Sequence, residues 1–248
     1  QDNYIWLIHD QTHAWVVDPG DAQPVLETLQ SQSLVLDGVL ITHHHFDHTG
    51  GLAALLEVYP QAKTIGPHSD NISILDQRVA EGDTTTLLGT SFKVLEVPGH
   101  TLDHIAFYAA SSQQGPLLFC GDTLFAGGCG RIFEGTAPMM HASLSRLAGL
   151  DPSTAIYCAH EYTMANLAFA KAVEPNNSQL ESRIQSDQQR RNNNVPTVPS
   201  LLKTELATNP FLRSPAAEVC RAAEALGVAS NADEVAVFSA IREWKNSF

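Results

Sequence analysis

One stretch of this sequence narrows the choice of fold more than any other: Thr42-His43-His44-His45-Phe46-Asp47-His48. Its imidazoles and its carboxylate, at His43, His45, Asp47 and His48, are donors suited to a hard-to-borderline divalent cation. The run follows Leu36–Thr42, whose Val39-Leu40-Ile41 centre reads as a buried strand. It precedes Gly50-Gly51 and the helical pattern Leu52-Ala53-Ala54-Leu55-Leu56. Side chains two apart share one side of an extended segment, so His43 and His45 should point together. Asp47 and His48 fall at the helix entrance, too close in sequence to join the same coordination sphere easily. The spacing therefore predicts two metal sites side by side. Its place at a strand-to-helix junction separates it from a low-complexity loop that merely scavenges metal.

A chain of 248 residues, 44% hydrophobic and 17% charged, can bury a real core as one large or two small domains. No stretch approaches the ~18 uninterrupted apolar residues that a membrane span needs, so no membrane partner is expected. A net charge of −13 argues against a nonspecific grip on nucleic acid. A pair of divalent cations would make the site locally positive inside an acidic molecule. Cys120, Cys129, Cys158 and Cys220 show neither C-x-x-C spacing nor a dense framework. They read as reduced thiols of a cytoplasmic protein, here expected to be a monomer. The opening residue is Gln1 rather than Met, which reads as a processed or trimmed start.

The first two-thirds alternate short apolar strands with loops. Tyr4–Ile8 and Ala14–Val17 read as a hairpin ended by the turn Asp18-Pro19-Gly20, and Asp21–Leu29 as a helix. Leu36–Thr42 leads into the histidine run, and Gly51–Tyr59 is the next helix. Thr64–Gly66, Thr84–Leu88, Phe92–Val97, Ile105–Tyr108, Leu117–Cys120 and Ile156–Ala159 are all strand-like. A mostly-β core with helices outside it brings such strand ends together most simply. Beyond Tyr162 the pattern turns helical, at Met164–Val173 and Gln179–Arg190. Asn192–Pro210, with prolines 196, 199 and 210, reads as an extended crossing segment. Helices at Pro215–Leu226 and about Ala232–Ser247 finish the chain, the last behind the capping pattern Ser230-Asn-Ala-Asp233.

Three further positions repeat one syntax: apolar strand, small residue, ligand-type residue. They are His100 in Val97-Pro98-Gly99-His100-Thr101, Asp122 in Phe119-Cys120-Gly121-Asp122-Thr123, and His160 in Cys158-Ala159-His160-Glu161. A carboxylate has lone pairs enough on two oxygens to bridge two cations. The allocation that follows puts His43, His45 and His100 on one metal and Asp47, His48 and His160 on the other, with Asp122 spanning both. Each sphere stays open, the pattern of a catalytic site. No thiolate is required, so zinc is the first expectation, with iron and manganese open by ligand type. His44 is left for packing or hydrogen bonding. Asp18 reads equally as a plain turn residue or as a carboxylate that orients a ligand imidazole.

The run THHHFDHTGG, with the later G-H-T, G-D-T and A-H-E-Y elements, resembles the metallo-β-lactamase superfamily, and within it the glyoxalase II (hydroxyacylglutathione hydrolase) family. The segment Gly121–Gly135 (GDTLFAGGCGRIFEG) and the tail Ile241–Phe248 (IREWKNSF) carry the finer resemblance. It implies an α+β fold, an αββα sandwich over residues 1–163 followed by a small α-helical substrate-binding domain over 164–248. It also implies a dinuclear site matching the allocation above, with Asp47 as catalytic residue. The implied reaction is hydrolysis of S-D-lactoylglutathione to glutathione and D-lactate. By the same resemblance the glutathione thioester is held by Arg131, Phe133, Tyr162, Arg242 and Lys245. Arg131 stands where lysine is common in the family and Phe133 where tyrosine is, so a hydroxyl contact is missing here. Arg242 and Lys245 are three apart on a helix and share a flank, beside a stripe of Phe238, Ile241 and Trp244. The alternatives are another hydrolase on the same fold, a mononuclear-iron persulfide dioxygenase, and a noncatalytic metal-binding module.

Overall fold

The computed structural model describes residues 3–248; the reading of a trimmed start at Gln1 lies outside them. The first sheet runs in the order β1 (Trp6–His9), β2 (His13–Val17), β3 (Val35–Leu40), β4 (Lys63–Pro67), β5 (Gln77–Val79). β1 and β2 form the expected hairpin, Trp6 opposite Val17, and the remaining neighbours are parallel. Next come β6 (Thr84–Leu87), β7 (Thr90–Glu96), β8 (Ile105–Ala109) and β9 (Leu117–Gly121), then a two-stranded ribbon of β10 (Leu124–Phe125) and β11 (Gly128–Cys129). With β12 (Ala155–Cys158) and β13 (Ser200–Leu201), the second sheet is ordered β13-β12-β9-β8-β7-β6.

Period-two alternation builds the layers. On β2, Ala14 and Val16 pack towards the helices α1 (Gln23–Gln32) and, beyond the single-turn α2 (Phe46–Thr49), α3 (Leu52–Val58). Trp15 and Val17, the alternate residues, pack against Phe92, Val94, Ile105 and Phe107 of the opposite sheet. On β8 the pattern repeats: Ile105 and Phe107 face the first sheet, and Ala106 faces outward. There the outer layer begins with α4 (Ala137–Ala148), which contributes Met140, Leu144 and Leu147. The arrangement is helix, sheet, sheet, helix, an α+β sandwich as the sequence implies.

The rest of the chain is helical: α5 (Thr163–Val173), α6 (Ser178–Asn192), α7 (Leu202–Thr208), a short 3-10 turn at Pro210–Leu212, α8 (Ala217–Ala225) and α9 (Glu234–Ser247). Val219, Ala223, Val237, Phe238 and Ile241 of the last two helices join one apolar cluster with Leu144 and Leu147 of α4. Asp233 caps α9 by accepting a hydrogen bond from the Ala236 amide at 2.8 Å, so the cap lies three residues beyond Ser230. The segment expected to be extended over 192–210 is so only in part. Prolines 196 and 199 lie in its first half and 210 at its end; between them Ser200–Leu201 pairs with β12 and Leu202–Thr208 coils into α7. No helix among the described residues is long and apolar enough to cross a membrane.

The topology positions the site. β7 and β9 both run antiparallel to β8, and β12 is parallel to β9, so β7, β9 and β12 all point one way. Their carboxyl ends deliver His100, Asp122 and His160 to one edge of the second sheet. The end of β3 reaches the same edge, where the Ile105 amide donates to the Thr42 carbonyl at 2.9 Å.

Candidate metal centre

The ligand-type residues of four strand ends meet there. Ligand atoms of His43, His45 and His100 lie within 4.8 Å of one another, as do those of His43, His48 and Asp122, and those of Asp47, His48 and His160. His45 Nδ1 is 3.1 Å from His43 Nε2 and 3.0 Å from His100 Nε2. Asp122 stands between the groups. Its Oδ2 is 3.4 Å from His100 Nε2, and its Oδ1 is 3.4 Å from both His48 Nε2 and His160 Nε2. Asp47 Oδ2 is 3.5 Å from His160 Nε2 and 3.8 Å from His48 Nε2. Thus all seven residues singled out in the sequence are brought together.

Backbone detail makes this crowding feasible. Gly121 has φ +46°, and a β-carbon there would lie 2.4 Å from Thr42 Oγ1, so only glycine fits before Asp122. Gly20, closing the Asp-Pro-Gly turn, would put a β-carbon 1.9 Å from the Asp47 carbonyl oxygen.

Partners behind the imidazoles set their tautomers. His100 Nδ1 donates to the Arg131 carbonyl at 2.7 Å, which leaves the Nε2 lone pair facing the centre. Asp18 stands behind His48, with Oδ2 3.0 Å from Nδ1, an ion-pair contact. The same carboxylate accepts from the Thr42 amide and hydroxyl at 2.8 and 2.7 Å, so Asp18 is more than a turn residue. Burial holds His43, His45 and His100 below the ordinary imidazole pKa, in the neutral form that ligates. His48 goes the other way. Burial opposes its charge, but the Asp18 and Asp122 carboxylates outweigh that and raise it. Asp122 is held well below the carboxylate range, because the neighbouring His160 and His48 imidazoles overcome its desolvation.

His104 was not anticipated. It is fully buried, stacks on His43 at 4.5 Å, and its Nε2 accepts a hydrogen bond from the Asp122 amide at 3.1 Å. Burial pushes its pKa down to about 3, so it remains a neutral acceptor. The available signal was a second histidine four residues after His100 in a strand-initial position. His44 turns away from the centre, its Nδ1 2.9 Å from Asp103 Oδ2 and its Nε2 3.3 Å from Glu134 Oε1.

The residues fit a cation. Asp122 Oδ1 and His48 Nε2 are buried without a hydrogen-bond partner, and ring nitrogens of His43, His45 and His100 crowd to about 3 Å. Buried lone pairs aimed at one point repel unless a positive charge sits among them. The fold and these His/Asp clusters together mark a divalent-metal site.

A cleft of about 510 Å³ opens onto this centre, lined by His45, Asp47, His100, Asp122, Phe125, Arg131, Phe133, His160 and Tyr162. Three of the residues assigned to substrate are therefore at the cleft, and two are not part of its lining. Arg242 is buried; its Nη1 donates to the Cys129 carbonyl at 3.1 Å, and its guanidinium lies 5.1 Å from the Phe211 ring. Lys245 donates to the Ala165 carbonyl at 3.4 Å and lies over Phe169 and Phe248.

Comparisons with known proteins agree with this architecture. Residues 2–160 match the family model described as the metallo-beta-lactamase superfamily, and residues 161–248 match the hydroxyacylglutathione hydrolase C-terminus. A hydroxyacylglutathione hydrolase of Albidiferax ferrireducens is 50% identical over 247 residues, covering 100% of this chain and 96% of that protein. One from Vibrio campbellii is 47% identical over 248 residues, with the same coverage. Among solved structures, ETHE1 from Myxococcus xanthus is 29% identical with a TM-score of 0.56, over 88% of this chain and 94% of that one. BLEG-1 B3 metallo-beta-lactamase, 19% identical with a TM-score of 0.62 over 85% of this chain and 94% of its own, shares the fold. With family models matched over residues 2–160 and 161–248 and half its residues identical to those of a named relative, this chain belongs to the hydroxyacylglutathione hydrolase family of the metallo-β-lactamase superfamily.

Proposed function

We propose that the chain hydrolyses S-D-lactoylglutathione to glutathione and D-lactate, as a glyoxalase II with two divalent cations, zinc first among them. The choice of substrate is carried by the full-length likeness to hydroxyacylglutathione hydrolases, helical part included. The count of two is supported by Asp122, whose oxygens face separate imidazole groups. His43, His45 and His100 would hold one cation, Asp47, His48 and His160 the other, and Asp122 both. When bound, such a pair supplies a water of lowered pKa as nucleophile and Lewis-acid stabilisation of the oxyanion.

The chain's own residues do the rest. The Asp47 carboxylate, half exposed at the cleft, orients the attacking water and takes its proton. Tyr162 lies flat on His160, ring centres 4.8 Å apart and planes 3° apart, and makes a wall for the thioester. Arg131, its guanidinium 5.6 Å from the Phe133 ring, offers charge to a substrate carboxylate. Arg242 acts one step back by holding the Cys129 carbonyl, and with it the segment that carries Arg131 and Phe133. The departing thiolate has a pKa of about 8.5, so it leaves without a general acid. The four free cysteines suit a cytoplasmic setting, in which the chain works as a monomer.

Metal analysis of the purified protein, paired with a thioesterase assay on S-D-lactoylglutathione, tests this. Two equivalents with turnover are expected. One equivalent of iron with dioxygen consumption on glutathione persulfide would replace the reading by a dioxygenase, and full loading without thioesterase activity would defeat it.

A further inference from the structure

The N-terminal segment forms part of the site. Asn3 pairs with His160 through an isolated β-bridge, and the Tyr4 amide donates to the Ala159 carbonyl at 2.6 Å. From that anchorage the Asn3 carboxamide reaches across to the other loop. Its Nδ2 lies 3.2 Å from both the Asp47 carbonyl oxygen and Asp47 Oδ2. Two residues of one ligand trio, on segments more than a hundred positions apart, are thereby tied to a single asparagine.

We infer that Asn3 is a positioning residue for Asp47, and through it for the cation assigned to Asp47, His48 and His160. The inference rests on the proposed dinuclear reading and deepens it. His48 and the bridging Asp122 are held from behind. His48 faces Asp18, and the Asp122 amide is bound to His104. Asp47 is different: its carboxylate is 52% exposed and sits on a one-turn helix, where its rotamer is free unless something fixes it. The hydrogen bond from Asn3 falls on Oδ2, the oxygen turned to His160 and His48, and so selects which oxygen faces the metal position. Oδ1 is left for the attacking water. Partners behind a ligand typically govern affinity and activity by about 10–100-fold.

The test uses the full chain as wild type, Asn3→Ala and Asn3→Leu, loaded with zinc and titrated against a chromogenic chelator. Backbone contacts at Asn3 and Tyr4 persist in both variants, so the fold is retained, which thermal unfolding verifies. One of two equivalents should weaken by about 10–100-fold while the other keeps its affinity. kcat on the thioester should fall by a similar factor at limiting zinc, with KM within about twofold, and recover at excess zinc. Unchanged affinity for both equivalents in both variants would overturn the inference. Equal weakening of both with a lowered unfolding temperature would reduce Asn3 to a structural role, and a single equivalent in the wild type would leave it nothing to position. Thioester turnover by the wild type, measured in parallel, reports on the proposed function alone, because the metal titration needs no substrate.

Discussion

Asp122 has no substitute among the ligand residues, because it alone turns one oxygen to His100 and the other to His48 and His160. Replacing it by alanine should remove at least one metal equivalent after desalting, measured by elemental analysis. Turnover should drop by more than the ~10–100-fold cost of losing an outer partner. Phe133 makes a finer prediction. Its ring is 60% exposed beside His100 and His45, and it offers no hydroxyl to a substrate. Phe133→Tyr should lower KM for glutathione thioesters by about 2–10-fold with kcat unchanged, the size of one net hydrogen bond of about 0.5–1.5 kcal/mol. At this scale the donor set was legible, since ligand chemistry belongs to residue types and their places after strands. His104 and Asn3 were not. Nothing local to either marks it as the partner of Asp122 or Asp47, some 18 and 44 positions away.

Elements are joined by a buried polar cluster that no pattern announces. Glu205 of α7 is fully buried; it takes hydrogen bonds from Arg183 of α6 at 2.6 Å, from the Gly127 amide at 2.8 Å and from Asn209 at 3.1 Å. It thus ties two helices to the ribbon beside the metal centre. Glu205→Ala should cost about 3–5 kcal/mol in denaturant unfolding, because it leaves the buried Arg183 with Asp187 as its remaining carboxylate partner and the Gly127 amide without its acceptor. Breaking the exposed Arg146–Glu81 pair by Arg146→Ala should cost about 1 kcal/mol or less, as water already screens it. Most strands and the terminal helices were readable from periodicity, to within a few residues. α4 was passed over although Met140, Leu144 and Leu147 repeat at helical spacing, because a glycine-rich segment precedes it. α7 was hidden by the prolines around it. Its inward face includes Glu205 and Thr208, which look like surface residues until their partners are in place.

Across the whole molecule, Glu161 links the N-terminal segment, the last ligand loop and the crossing segment. It accepts hydrogen bonds from Tyr4 and from the Thr197 amide and hydroxyl. Burial alone would raise its pKa, but those donors prevail and hold it below 4.5. A depressed carboxylate contributes stability above its unfolded pKa and loses it as pH falls through the folded value. Unfolding free energy should therefore decline as pH drops below about 4.5, and Glu161→Gln should flatten that decline, in denaturant melts across pH 3–6. The residues themselves determined which side chains could ligate metal and which faces of each strand are buried, because donor chemistry and two-residue alternation are properties of the local chain. Tertiary structure decided which oxygen of Asp122 meets which imidazoles, that Arg242 is buried against Cys129, and that Asn3 grips Asp47. Such pairings arise only when distant segments pack, and packing depends on the summed shape of the molecule rather than on any one stretch of it.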